Sequence, residues 1–119
     1  MRRKFFLVIL LFICTTLVSS CALFRKPLDQ WSGFSKYLKE TETSIRDEQW
    51  DHAAAGLKKA DKAWRKVKPF LQVDIDHDYV NDIENNFVRL KGNIETKEKP
   101  NSLAFILLLQ HNWKNIGSM

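Results

Sequence analysis

The sequence predicts an all-α protein: a small up-and-down antiparallel bundle of three to four helices following an N-terminal lipoprotein signal peptide. Three observations predict it. Beyond the first two dozen residues, apolar side chains recur at helical spacings of three and four. Val, Ile and Thr nowhere alternate with polar residues in that region, so strands are poorly supported. Glycine and proline number only 4 and 3 in 119 residues, which leaves few interruptions.

The first segment covers residues 28–47, with Leu28, Trp31, Leu38 and Ile45 at offsets of three and seven and Phe34 beside the stripe. Asp29 near its start suits the partial positive charge of a helix N-terminus. The second, 48–68, carries Trp50, Ala53, Leu57, Ala60, Trp64 and Val67 at spacings of 3, 4, 3, 4 and 3, which Leu71 extends. That is a heptad seam, and its alanines favour close approach of a partner helix. Trp31, Trp50 and Trp64 all fall on predicted core stripes, which argues against a carbohydrate platform. Pro69 is expected to end or kink this helix. The third segment, 75–97, repeats the seam with Val80, Ile83, Phe87, Leu90 and Ile94. The fourth, 102–116, follows the polar break "TKEKPNS", with Asn101 or Ser102 as N-cap. Short links favour antiparallel neighbours; three long helices with a loosely docked fourth are the alternative.

The N-terminus has its own logic. Arg2, Arg3 and Lys4 precede an apolar run from Phe5 to Ile13, and no further charge occurs before Arg25. A basic start, a short apolar stretch and small residues after it describe an export signal. Val18, Ser19, Ser20 and Cys21 then resemble a lipobox: an aliphatic residue, two small residues before the cut, and a thiol to be lipidated. Cys14 lies inside the apolar run behind bulky Ile13, a poor acceptor. The expected organisation is therefore signal peptide 1–20, lipidated N-terminus and tether 21–27, and helical domain 28–116. An uncleaved anchor is the alternative, since residues 5–24 give enough apolar length for one crossing. Both place the domain outside the cytoplasmic membrane, because the positive residues stay in. Cys21 is the only cysteine left after the cut, so the exported chain has no internal disulfide.

Charge bounds the partners. Three of 19 basic residues sit in the first four positions, leaving 16 against 14 acids. The formal +5 shrinks to about +2, which removes most of the case for a nucleic-acid partner.

Chemistry-bearing patterns are sparse. Asp74, Asp76 and Asp78 alternate like the start of a calcium loop, but Tyr79 and Asn85 stand where that loop needs glycine and glutamate. The acids read as first-turn residues of the third helix. His52, His77 and His111 fall on three segments, and no paired metal-ligand spacing, nucleophile elbow or phosphate loop is present. Neither a metal nor a cofactor is expected, nor an enzyme. Lys58, Lys59, Lys62, Arg65 and Lys66 form the solvent face of the second helix and are candidates for contact with anionic lipid or wall polymer. On the fourth helix Phe105, Ile106, Leu109, Trp113 and Ile116 share one face, leaving Leu103, Leu107 and Leu108 over. Either that helix is gripped on more than one side, or these three leucines meet a partner.

The run Trp50–Ala53–Leu57–Ala60–Trp64–Lys68, the His77–Asp78 step into Val80–Ile83 and the N-terminal anchor resemble a family of short extracytoplasmic proteins of Gram-positive bacteria, classed as a domain of unknown function. Tyr79 stands where that family usually carries glutamate. The resemblance implies a helical, membrane-attached protein beside an integral membrane partner, with no catalytic residues to transfer. The expected function is thus a binding or accessory module for a membrane complex. An envelope-binding structural protein is the alternative, and its small-molecule ligand, if any, is unspecified.

Overall fold

The computed structural model describes the backbone of residues 1–17, 21–73 and 75–116, and the side chains of 1–13, 26–73 and 75–116. All regular structure among them is helical: α1 (Arg2–Leu17), α2 (Cys21–Ser32), α3 (Phe34–Arg46), α4 (Trp50–Leu71), α5 (His77–Glu95) and α6 (Lys99–Ile116). Helices α3 to α6 form a closed ring in which α3 meets α4 and α6, and α5 meets α4 and α6; α2 packs on α4 and α3. The chain is all-helical as expected, but the described residues hold six helices rather than three to four: four in the ring and two ahead of it.

The expected first helix, 28–47, is two helices. Gly33 adopts φ 72°, a left-handed conformation that costs glycine little and other residues much. The break is stitched from the α2 side. The Gly33 N–H donates to the Asp29 carbonyl at 2.7 Å, Ser35 N–H donates to the Asp29 carboxylate at 2.8 Å, and Phe34 N–H donates to the Ser32 hydroxyl at 3.2 Å. Asp29 thus serves the N-terminus of α3, not of α2. The break also changes the register of the stripe. Phe34 is fully buried, while Trp31 is 59% exposed, contrary to its expected place in the core.

Helix α4 runs through Pro69 to Leu71 instead of stopping. In the last turn a proline forfeits one ladder bond, a loss the terminal residues tolerate. Helix α6 starts at Lys99, earlier than expected, and Asn101 and Ser102 lie inside its first turn. Pro100 fits there, because the first N–H groups of a helix have no intrahelical partner. Helices α3 and α5 end alike: Gln49 N–H reaches the Ser44 carbonyl and Glu98 N–H the Asn93 carbonyl, both at 2.9 Å, past Glu48 and Lys97 at positive φ. These are Schellman turns built without glycine.

The core is an aromatic cluster ringed by aliphatics. Phe34 lies 4.8 Å from Trp113, 5.9 Å from Trp64 and 6.1 Å from Phe87 between ring centroids, so one ring touches three neighbouring helices. The heptad residues of α4 and α5, from Ala53 to Leu71 and from Val80 to Ile94, are buried as their spacing requires. Helix α6 is docked: Ile106, Leu109, Trp113 and Ile116 are all buried, which rules out the loosely held fourth helix.

Candidate functional site

Candidate functional residues fall on surfaces, since the interior is occupied by packing. Two carboxylates are held by partners on neighbouring helices, one buried and one half-exposed. Glu42 on α3 is 4% exposed and accepts from Gln110 Nε2 on α6 at 2.9 Å, from Arg46 Nε at 2.8 Å and from Lys39 Nζ at 3.1 Å. The Gln110 bond first, then the two cations, lower its pKa to about 2 against the opposing effect of burial. Such a group stays ionised near neutrality and is ill matched to proton transfer there. Glu84 on α5 accepts from Lys68 and, at 3.4 Å, from the Trp64 indole N–H on α4. The Lys68 bond holds its carboxyl below the usual range. Both are structural clamps between helices. Sequence reasoning missed Glu42, although it lies four after Leu38 and three before Ile45, on the buried stripe.

The tight seam between α3 and α4 involves a second polar group. A methyl on Gly56 would stand 2.6 Å from the Thr41 hydroxyl oxygen, so only glycine lets α4 come this close. That hydroxyl donates to the Tyr37 carbonyl at 2.7 Å. Ser102, fully buried in α6, has a hydroxyl with no hydrogen-bond partner among the described residues.

On the outside, Lys58, Lys59, Lys62, Arg65 and Lys66 all lie exposed along α4. Arg65 pairs with Asp61 at 3.1 Å, and Lys66 Nζ stands 5.9 Å from the Trp31 ring centroid. Between α4 and α5 an open groove of about 600 Å³ is lined by Leu57, Phe87 and Val88 with Lys58, Arg65 and Lys91. On α6, Leu107 and Leu108 are 44% and 43% exposed, whereas Leu103 is half-buried against the core. The three leucines therefore do not form one patch of equal standing. Arg89 covers Phe105 at 5.8 Å.

His52, His77 and His111 are exposed on α4, α5 and α6, and no metal-binding group of three side chains forms among the described residues. Asp76 and Asp78 lie exposed where α5 begins, and Asp74 is outside the described residues. The lipobox residues Val18, Ser19 and Ser20 are likewise outside them; the Cys21 backbone opens α2, and its side chain is not described. In α1 every side chain from Phe5 to Ile13 is exposed, with relative accessibility of 42% or more. No helix among the described residues is long and apolar enough to cross a membrane.

Residues 28–119 match the model of a domain of unknown function, DUF4363. The match begins inside α2 and takes in the whole ring. No curated protein and no solved structure matches the chain.

Proposed function

The chain belongs to the DUF4363 family, and we propose that it is a membrane-attached lipoprotein of a Gram-positive envelope, displayed outside the cell as a non-enzymatic accessory module for a membrane complex. The observation that carries this reading is α1. Three cations are followed by apolar side chains exposed all round the helix, a surface that water disfavours and a membrane or export channel covers. Cys21 would carry the lipid, at about 0.8 kcal/mol per buried CH₂. The alternative attachment, an uncleaved anchor, shares the topology. Leu107 and Leu108 supply the contact with the partner, since they are exposed on a helix whose opposite face is already buried.

Two substitutions test the parts separately. Cys21→Ala is expected to abolish labelling by a fatty-acid probe and to move the protein from the membrane to the soluble fraction. Retained labelling overturns lipidation at Cys21. Leu107→Glu combined with Leu108→Glu is expected to keep the helical circular-dichroism signal and lose co-purification with an integral membrane protein. An unchanged pull-down removes α6 as the contact.

A further inference from the structure

Trp31 and Phe70 are the two exposed aromatic rings among the described residues of the bundle, 59% and 60% accessible, and they touch. Their centroids are 5.9 Å apart and their planes meet at 89°, an edge-to-face pair shared by α2 and α4. Val73, 85% exposed, follows in the turn after α4. Lys66 caps the Trp31 ring, and Lys59 and Lys62 lie exposed on the same helix. The patch occupies the end of the bundle where the N-terminal segment enters.

We propose that this patch is a second membrane contact. Trp31, Phe70 and Val73 seat in the headgroup region of the leaflet that carries the anchor, and Lys59, Lys62 and Lys66 approach its anionic headgroups. The inference rests on the membrane-attached reading above.

Three observations name the bilayer as the occupant. The first is reach. Ten helical steps lead from Cys21 to Trp31, about 15 Å at the α-helical rise. A lipid on Cys21 therefore holds the indole within about 15 Å of the bilayer surface, whichever way α2 leans. The second is chemistry. An indole with a polar N–H and an apolar body favours the boundary between headgroups and acyl chains, and a neighbouring phenyl ring and valine add apolar area without a charge. The third is charge complementarity. Cations beside the rings are drawn to anionic headgroups over about one Debye length, roughly 10 Å. Asp76 and Asp78 at the start of α5 weaken that attraction, so the rings dominate and the lysines add to them.

The test uses the full chain reconstituted into vesicles of phosphatidylcholine and phosphatidylglycerol, with part of the phosphatidylcholine brominated near the headgroup. Trp64 and Trp113 are 1% and 3% exposed, and Trp50 begins α4 at the other end of its 22 residues. Bromine quenching therefore reads Trp31. The expected result is a fall in fluorescence that Trp31→Phe removes, with the helical signal unchanged. Lys62→Glu with Lys66→Glu is expected to shrink the quenching on these vesicles and spare it on pure phosphatidylcholine. Equal shrinkage on both overturns the role of anionic lipid. If the chain floats with the vesicles and Trp31→Phe leaves quenching unchanged, the patch faces something other than lipid and the inference is overturned alone. If the chain does not float, the membrane-attached reading fails and takes this one with it.

Discussion

Helices α3 and α5 flank the same neighbour, α4, and are built on different rules. Helix α5 buries Val80, Ile83, Phe87, Leu90 and Ile94, an unbroken apolar heptad. It lies against α4 loosely enough to leave a groove and an exposed Val88. Helix α3 is six residues shorter by its bounds and buries two polar residues, Thr41 and Glu42, among its five. A short helix offers few apolar side chains, so its hold on the bundle depends on close approach and on charged hydrogen bonds. Close approach requires Gly56 opposite Thr41, and the carboxylate of Glu42 requires Gln110, Lys39 and Arg46. The polar clamp of α5, Glu84 with Lys68 and Trp64, sits at a half-exposed edge, so the lesson is that an apolar stripe tolerates slack, whereas a seam with polar groups buried in it demands fit.

The largest expected break in that contrast comes from acid. The Glu42 pKa is lowered from 4.5 to about 2, so its contribution is fully present above about pH 4.5 and is lost as pH falls toward 2. At 1.36 kcal/mol per unit, the loss amounts to at most about 3 kcal/mol. Denaturant midpoints measured from pH 6 down to pH 2 should therefore drop steeply in the native chain and more gently in Glu42→Gln. Parallel curves would mean the carboxylate is not clamped.

Next in size are two identical substitutions of opposite sign. In Gly56→Ala the new methyl group meets the Thr41 hydroxyl at 2.6 Å, and overpacking of about 1–3 kcal/mol outweighs the gain in helix propensity. In Gly92→Ala nothing lies within 4 Å of the new methyl group, so the propensity gain of about 0.5–1 kcal/mol stands alone. Thermal or urea unfolding of the two variants should move in opposite directions. Gly92 is exposed and serves as the solvent-facing reference, so a Gly56→Ala variant that moved the same way would mean that the α3–α4 seam has slack at Thr41.

The same contrast explains what was legible in the sequence. The α5 stripe, the α4 seam and the buried face of α6 are periodic and apolar, so spacing alone located them. The α2–α3 boundary was not legible, because a single glycine inside an apolar pattern reads as tolerated until its φ is known. Once Gly33 turns the chain, Trp31 no longer shares a face with Leu38, and the register argument that buried it fails. Glu42 was hidden for a different reason. A carboxylate on a buried stripe looks like a surface residue until a partner 68 positions away, Gln110, closes on it. Among the candidate contacts, the lysines of α4 were readable because they face away from a clear seam. The Trp31–Phe70 pair was not, since exposure of an aromatic ring depends on which helices the bundle leaves uncovered.

The Gly33 junction has a mechanical consequence. Tension applied to the chain N-terminal of that residue enters the ring through one glycine, the caps from Asp29 and Ser32, and the lateral grip of α2 on α4. The aromatic cluster around Phe34 lies beyond these on the chain and bears load only after they yield. Helix α2 is thus placed as a fuse: under such tension the chain can give up α2 and keep its ring closed.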